Sequence, residues 1–292
     1  MSHLMIFGAG YSGKAIARAL QTDMDRISGT TRGEDKISTL QCQAIAPFIF
    51  SGEAISDELR AELRGVTHVV QSIAPSASGD PLLRLCKGDL KSLMPDLQWA
   101  AYLSTVGVYG NHDGAWVDED TPCRPVSVRS VERVEAEQAW DAACQQAGVK
   151  LCTLRLSGIY GPGRNGLINL EKGTARRLVK KDQVFNRIRV EDIGAATEFL
   201  IEHKAHGIFN VTDDEPAPPQ DVVAFAADLM DVAPPEEQPF ETAELSEMAR
   251  SFYGENKRVS NRKLKELGFA FAYPNYRQSL RQMWDEGTWR DE

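Results

Sequence analysis

The chain has 292 residues, of which 42% are hydrophobic and 26% charged, a balance typical of a globular protein with one large or two modest domains. Its 42 acidic residues outnumber its 33 basic ones and give a formal net charge of −9, which argues against nucleic acid and against an anionic membrane as partners. No apolar run approaches the length of a membrane span, and the 5 cysteines form no Cys-x-x-Cys pair, so we expect a reducing, cytoplasmic location and no metal site.

The first stretch of the chain reads as a strand, a glycine-rich turn and a helix. Residues 4–7 are all apolar, which is typical of a strand buried on both faces of a parallel sheet. A Gly-x-Gly-x-x-Gly turn follows, in which the first glycine allows a tight turn, the second lets a pyrophosphate approach bare backbone, and the third lets the helix pack closely. The start of the helix offers unpaired N–H groups to the phosphates. The residues predicted to hold a dinucleotide here are Gly8, Gly10, Tyr11, Ser12 and Gly13.

The position of that strand also bears on targeting. It begins within a few residues of Met1, so we expect no signal peptide.

The end of the second predicted strand, residues 26–32, indicates which cofactor is used. In a dinucleotide-binding fold an acidic side chain at this point binds the ribose 2′-OH of NAD. Thr31 and Arg32 stand there instead, and a guanidinium with a hydroxyl suits a 2′-phosphate. The alternative is a solvated arginine on a loop. The sequence therefore favours NADP as cofactor, with NAD as the second choice.

Strands continue to alternate with helices up to residue 156. The predicted strands are 44–50, 66–75, 99–105 and 150–156, and the predicted helices are 56–64, 81–93 and 128–147. This alternation specifies an α/β fold with a doubly wound parallel sheet, which binds ligands at the carboxyl ends of its strands. Ser72, Ala74 and Ser104 follow or end such strands, and we add them to the predicted cofactor site. Pro47 suggests that the third strand lies at an edge of the sheet.

The alternation becomes irregular after residue 160. Further helices are predicted at 190–203, 220–230 and 241–252, with a strand at 207–211 and shorter helices after Asn261 and Tyr276. We therefore predict a dinucleotide-binding Rossmann domain over 1–160, to which 187–212 returns, and a smaller mixed substrate-side domain over 161–292.

Several segments carry motifs in a fixed order. Residues 103–110 read Leu-Ser-Thr-Val-Gly-Val-Tyr-Gly, 154–163 read Leu-Arg-Leu-Ser-Gly-Ile-Tyr-Gly-Pro-Gly, 188–193 read Ile-Arg-Val-Glu-Asp-Ile, and 209–211 read Phe-Asn-Val. With the glycine turn, they resemble the extended short-chain dehydrogenase/reductase family of nucleotide-sugar epimerases and dehydratases. The matching family segments are Ser-Ser-x-x-x-Tyr-Gly, Leu-Arg-x-x-Asn-x-Tyr-Gly-Pro-Gly, Ile-His-Val-x-Asp and Tyr-Asn-Val. The resemblance runs from Met5 to about Tyr276.

The chain departs from that family at its acid–base pair. The family opens the helix after the polar loop with Tyr-x-x-x-Lys, in which tyrosine moves a proton and lysine holds the nicotinamide ribose. Counted from Thr105 and anchored on Glu137, these two positions are Arg129 and Arg133. Arginine cannot give up its proton near neutral pH, so Arg129 is no general base. Arg133 keeps the positive charge and the means to hold the ribose, and the resemblance implies an atypical member.

Two hydroxyl side chains near this pair complete the catalytic residues that we predict. Thr105 matches the family's serine or threonine that hydrogen-bonds the substrate oxygen. Tyr109 resembles a phenol that some members recruit as a proton carrier, and a packed aromatic with a satisfied hydroxyl is the alternative. The predicted catalytic set is Thr105, Tyr109 and Arg133.

The substrate side is less defined. Gly158 replaces the asparagine that sugar-nucleotide enzymes point at the substrate phosphate. Arg164, Arg187 and Arg189 could meet an anionic group or pair with acidic surface residues. The resemblance therefore implies an oxidoreductase, epimerase or dehydratase that acts on a small hydroxylated substrate, as a monomer or homodimer. The alternative is a non-catalytic protein that binds NADP as a sensor or regulator.

Overall fold

The structure is a computed structural model that describes residues 1–291, except for the side chains of residues 248 and 249. Within that range the strands are β1 (His3–Phe7), β2 (Arg26–Thr31), β3 (Ala46–Ile49), β4 (His68–Gln71), β5 (Trp99–Thr105), β6 (Trp116–Val117), β7 (Lys150–Leu156), β8 (Gly158–Tyr160), β9 (Arg177–Val179), β10 (Arg187–Arg189), β11 (Gly207–Val211), β12 (Glu237–Pro239) and β13 (Arg258–Val259). The helices are α1 (Tyr11–Ala19), α2 (Ile37–Gln41), α3 (Asp57–Leu63), α4 (Pro81–Leu85), α5 (Leu90–Leu93), α6 (Val128–Ala147), α7 (Gly166–Glu171), α8 (Val190–Glu202), α9 (Pro219–Leu229), α10 (Glu247–Phe252), α11 (Arg262–Glu266) and α12 (Tyr276–Asp285). Short 3₁₀ turns cover Glu34–Lys36, Val106–Tyr109 and Thr288–Arg290.

The largest sheet has seven strands in the order β11-β7-β5-β4-β1-β2-β3. Its neighbouring strands from β3 to β5 pair in parallel, with Phe7 of β1 opposite Gln71 of β4. The strand order reverses between β1 and β4, which is the point where open sheets of this kind bind ligands. The predicted doubly wound sheet and the edge position of the third strand are confirmed.

The chain divides into two compact units that interleave along the sequence. The first consists of Met1–Val108, Val128–Arg155 and Ile193–Phe209. Its core is a cluster of buried side chains from strands and helices, in which Phe7 meets Phe50 edge-on and Tyr102 stacks on Trp140. Each large apolar side chain buried in this way contributes about 1.5–3 kcal/mol. This core fixes the carboxyl ends of the strands, where the candidate site lies.

The second unit consists of Tyr109–Ser127, Leu156–Asp192 and the chain from Asn210 onward. It holds three small parallel pairs, β8 with β10, β9 with β12 and β6 with β13. The last pair ties the loop after Tyr109 to the C-terminal segment. The sequence instead predicts that this loop lies in a first domain of residues 1–160, to which 187–212 returns. A cluster around Tyr276, Leu280 and Met283 forms a core within this unit.

Two predicted helices differ from those in the structure. The prediction of one helix over 81–93 is wrong, because Lys87 and Gly88 adopt positive φ angles of 51° and 78° and end α4. Asp89 then caps the separate helix α5 by accepting a hydrogen bond from the Ser92 N–H. The helix predicted over 241–252 is confined to α10.

Over residues 1–291, no helix is long and apolar enough to cross a membrane. The same range contains no group of three or more His, Cys, Asp or Glu residues that could hold a metal ion.

Candidate functional site

The turn between β1 and α1 has a backbone that few residues other than glycine tolerate. Gly8 has a φ of +80°, and a Cβ there would lie 2.9 Å from Ile73 Cγ1. The Gly8 N–H donates to Thr30 Oγ1 at 2.9 Å, and the Ala9 N–H donates to the Thr30 carbonyl at 2.9 Å. These contacts hold the turn against the second strand.

The other two glycines of the turn have different surroundings. A Cβ on Gly10 would approach only the Gly8 carbonyl oxygen, at 3.9 Å, so the space beside it is open to a ligand. A Cβ on Gly13 would lie 3.0 Å from Ile6 Cγ2 and 3.2 Å from the Gly8 carbonyl oxygen. Gly10 thus faces a cradle that a side chain would fill, while Gly13 allows close packing of helix on strand.

The start of α1 is suited to an anion. The helix has nine residues, and no side chain caps its N-terminus at Gly10. This end of the helix, which carries the positive end of its dipole, therefore suits a phosphate.

A cavity of about 610 Å³ opens beside this turn. Its volume is in the range of binding pockets for small molecules and cofactors. The predicted site residues that line it are Gly8, Gly10, Thr31, Arg32, Ser72 and Ala74. Tyr11, Ser12, Gly13, Ser104 and Arg133, also predicted to bind the cofactor, are not among the residues that line this cavity.

Two charged residues at the β2 end of the cavity were not predicted from the sequence. Lys36 lies in the lining with Arg32, so two cations face this space. Asp35 lines it as well and offsets part of that charge. Both residues lie in the 3₁₀ turn Glu34–Lys36, which has no strong sequence pattern. Their closeness to Arg32 in the sequence is the one signal that could have identified them.

The carboxyl end of β5 is fixed by a buried ion pair in the first unit. The Ser104 hydroxyl donates to Glu137 of α6, and Arg155 of β7 donates to both carboxylate oxygens of Glu137, at 3.2 and 2.7 Å. Ser104 is thereby engaged with Glu137, while Thr105 next to it is half-buried and its Oγ1 accepts the Gly107 N–H at 3.1 Å. Thr105 retains a hydroxyl hydrogen that a substrate oxygen could accept.

The two arginines at the family's acid–base positions differ in their surroundings. Arg129 is exposed, in the first turn of α6. Arg133 is half-buried, and its Nη1 donates to the Leu103 carbonyl at 2.5 Å and to Tyr102 Oη at 3.3 Å. Burial raises the pKa of Tyr102 to about 12, so this phenol stays neutral. In the described part of the chain Nε and Nη2 of Arg133 make no hydrogen bond, and both can donate to a ligand.

Tyr109 is fully buried in the second unit. Its hydroxyl donates to Asn210 Oδ1 at 2.7 Å, and Asn210 Nδ2 donates to the Ser260 carbonyl at 3.0 Å. These contacts favour the packed-aromatic alternative, and the proton-carrier role of Tyr109 stays a prediction.

The candidate anion-binding arginines also differ from one another. Arg189 is buried and makes two hydrogen bonds to Glu191, at 2.6 and 2.8 Å. Its Nη1 also donates to Ser279 Oγ at 2.9 Å. Arg189 is thus an ion-pair partner within the second unit.

Comparisons with known proteins bear on this site. The model of the NAD dependent epimerase/dehydratase family matches residues 4–212. A solved structure of a functionally unknown conserved protein from Silicibacter pomeroyi DSS is 43% identical, with 99% of each chain covered and a TM-score of 0.90. No curated protein matches the chain.

Two more distant solved structures share the fold. The dTDP-glucose 4,6-dehydratase from Bacillus anthracis, in complex with NAD, is 16% identical with 99% of each chain covered and a TM-score of 0.77. The UDP-glucose 4-epimerase from Thermus thermophilus, also in complex with NAD, is 20% identical, with 97% of this chain and 98% of that chain covered and a TM-score of 0.74. At these identities the likeness concerns the fold alone.

Proposed function

The chain belongs to the NAD dependent epimerase/dehydratase family, and from that premise we propose that it is an NADP-dependent oxidoreductase, epimerase or dehydratase of small hydroxylated substrates. The observation that carries the proposal is the cavity at the glycine turn, with Arg32 and Lys36 in its lining. A bound nicotinamide dinucleotide supplies or accepts a hydride.

The phosphate-binding part of the proposal rests on the turn and on α1. Gly10 leaves the space beside it open, and the uncapped start of the helix offers N–H groups. A pyrophosphate would accept these bonds in a cavity large enough to hold it.

The preference for NADP rests on the charges at the end of β2. Thr31, Arg32 and Lys36 would donate to a 2′-phosphate, and charge-assisted bonds of this kind are the stronger ones. Asp35 in the same lining acts against the phosphate, so the preference depends on both cations outweighing one carboxylate.

Thr105 and Arg133 are the residues proposed to act at the reacting end. Thr105 would donate its hydroxyl hydrogen to the substrate oxygen, while its own Oγ1 is held by the Gly107 N–H. Arg133 would hold the nicotinamide ribose through Nε and Nη2, since its Nη1 is anchored on Leu103 and Tyr102.

The proton of the substrate hydroxyl needs a carrier other than Arg129. Water is the carrier that we propose, because the Tyr109 hydroxyl is buried and donates to Asn210. Tyr109 is the second candidate for this step.

The substrate class is proposed by analogy. The relatives named above are described as enzymes of dTDP-glucose and UDP-glucose, so sugar nucleotides are the first substrates to test. Gly158 in place of the family's asparagine favours a smaller hydroxylated compound as the second class.

A second candidate function is a protein that binds NADP without turnover and reports its level to a partner. The arginines at positions 129 and 133, where the family has tyrosine and lysine, favour this reading.

The test is NADPH oxidation and NADP⁺ reduction, measured with sugar nucleotides and with small carbonyl and hydroxyl compounds. We expect turnover with at least one class, and a loss of about 10²-fold or more in Thr105→Val, which removes the hydroxyl but keeps the shape. Thr121→Val is the control, at a hydroxyl whose hydrogen bonds within residues 1–291 are both to Asp118. Cofactor binding with no turnover of any compound would favour the sensor, and turnover unaffected by Thr105→Val would remove Thr105 from the mechanism.

A further inference from the structure

A second cavity, of about 440 Å³, lies entirely within the second unit. Its lining includes Arg164, Lys172 and Arg187 and contains no acidic residue. It shares no residue with the cavity at the glycine turn. A cavity with three cations in its lining and no carboxylate attracts anions.

Arg187 is the cation most closely held in this cavity. It lies on β10 and is half-buried, and its Nη1 donates to the carbonyls of Phe185 and Ala217 at 2.9 and 3.1 Å. Across residues 1–291 its Nε and Nη2 make no hydrogen bond and its guanidinium has no acidic partner at ion-pair distance. Arg189, two residues on, makes two bonds to Glu191. Arg187 thus has a positive charge without an ion-pair partner in residues 1–291, and its Nε and Nη2 can donate to a ligand.

Asp213 is the acidic residue that interacts most strongly with Arg187, and it does not neutralise the guanidinium. Asp213 is 1% exposed, and burial raises its pKa to about 8 despite the attraction of Arg187. Its Oδ1 accepts the Glu215 N–H at 3.2 Å, and its Oδ2 has no partner among the described residues. The carboxyl is therefore mostly protonated at neutral pH. A partly buried guanidinium without a counter-charge is costly, and a bound anion would offset that cost.

Beside the three cations and two asparagines, the lining of the cavity includes apolar and aromatic side chains. Val222 and Val223 come from the first turns of α9, and Leu280 comes from α12. The Tyr276 ring lines the cavity and lies 6.0 Å from the Arg187 guanidinium carbon. A ligand that satisfies both kinds of wall has a charged group at one end and a carbon framework at the other.

We propose that this cavity binds a small organic anion, a phosphate ester or a carboxylate, whose charged group meets Arg187, Lys172 and Arg164 and whose carbon framework packs on Val222, Val223 and Leu280. The site uses no residue of the cofactor cavity, and its occupancy is measured without turnover, so it is tested separately from the proposed function.

The test is calorimetric titration of the full chain in a phosphate-free buffer. The probes are phenyl phosphate, benzoate, phenol and inorganic phosphate. We expect phenyl phosphate or benzoate to bind, with phenol and inorganic phosphate at least about tenfold weaker, because each of these lacks one half of the recognised ligand. Tighter binding of phenyl phosphate would identify phosphate esters as the ligand class, and tighter binding of benzoate would identify carboxylates. No heat with either anion, or phenol bound as tightly as both, would overturn the proposal.

Variants locate the binding. Lys172→Gln alters an exposed side chain and leaves the core intact, and we expect it to weaken the better anion by about threefold or more. Arg187→Gln is expected to weaken it by about tenfold or more. Arg281→Gln, an exposed arginine on α12 outside the lining, is the matched control and should bind as the wild type does. Wild-type affinity in the folded Lys172→Gln protein, or equal losses in Lys172→Gln and Arg281→Gln, would contradict the assignment even if Arg187→Gln failed to fold.

Discussion

Most of the site residues that the sequence could predict lie in the glycine turn and at the end of β2. The positive φ at Gly8 and the close packing at Gly13 are backbone requirements, and such requirements are readable because only glycine meets them. Thr31 and Arg32 were predicted from the strand end alone and lie in the cavity lining. Lys36 was missed, because its approach to the cavity depends on the course of a short turn.

Gly10 offers a test of the turn that leaves the fold alone. Gly10→Val should abolish NADPH binding, because the added side chain enters the open space where a pyrophosphate would lie. Stability should change little, since a Cβ there meets nothing closer than 3.9 Å. Gly65→Ala, whose Cβ would meet only His3 Nδ1 at 3.7 Å, is the control. NADPH titration and thermal unfolding of both variants check this, and normal binding by Gly10→Val would show that the phosphates lie elsewhere.

Tyr109 distinguishes the two proposed proton carriers. Tyr109→Phe leaves Asn210 Oδ1 without its donor inside the protein, and we expect a loss of about 1–3 kcal/mol in the free energy of unfolding. If water carries the proton, turnover of Tyr109→Phe should stay within a few-fold of wild type. Tyr276→Phe, which removes a buried hydroxyl that has no partner among residues 1–291, should cost less stability. A fall in turnover of about 10²–10⁴-fold in folded Tyr109→Phe would instead make the phenol the carrier.

At the scale of elements, long buried segments were predictable and short ones were not. The bounds predicted for β5, α6, β7 and β11 match the structure. Each has a continuous apolar pattern or a clear stop, such as Gly148 with its φ of +66° after α6. The leucines of α4 and α5 pack into one core, so the segment 81–93 has the hydrophobic spacing of a single helix. Lys87 and Gly88, between the two helices, have positive φ and break it. Hydrophobic spacing alone does not detect such a break.

The ion pair between α6 and β7 should behave as a coupled unit. Glu137→Gln and Arg155→Met should each cost about 3–5 kcal/mol, because each leaves the other charge buried without its partner. The double variant should cost clearly less than the sum of the two, since it removes both charges. Denaturant unfolding of the three variants and the wild type gives the coupling. Additive losses would mean that the two side chains do not stabilise each other.

Asp213, just after β11, should give stability an unusual dependence on pH. Its folded pKa is about 8 against an ordinary 3.8, because of burial, so between these values the folded state holds a proton that the unfolded state has released. The free energy of unfolding should therefore fall by up to about 1.4 kcal/mol per pH unit from this group as pH rises from about 4 to 8. Asp213→Asn should remove that slope and be more stable than wild type near pH 8. Unfolding curves of both proteins across this range check it, and a difference that does not change with pH would contradict the raised pKa.

At the scale of the whole molecule, the sequence predicted the fold class, the family and the return of a late segment to the first domain, but not that the loop after Tyr109 belongs to the second unit. Ordered motifs from residue 4 to residue 212 fix the family. The loop after Tyr109 joins the second unit through the pairing of β6 with β13, a contact between segments about 140 residues apart that no local pattern announces. Arg164 and Arg187 were candidate contacts for an anion in the sequence, but Lys172 and the apolar wall of their cavity were not predicted, because its lining comes from segments far apart in the chain.

The choice of cofactor is measured as the affinity of the wild-type chain for NADPH and for NADH, by fluorescence titration at fixed ionic strength. We expect NADPH to bind more tightly than NADH, and Arg32→Ala to reduce the difference between the two binding free energies by about 1–3 kcal/mol, because charge-assisted bonds to the 2′-phosphate are lost. Arg60→Ala, an exposed arginine on α3 outside the cavity lining, should leave both affinities unchanged. Equal or tighter binding of NADH by the wild type would contradict the assignment of NADP, and binding of neither dinucleotide would contradict the site itself.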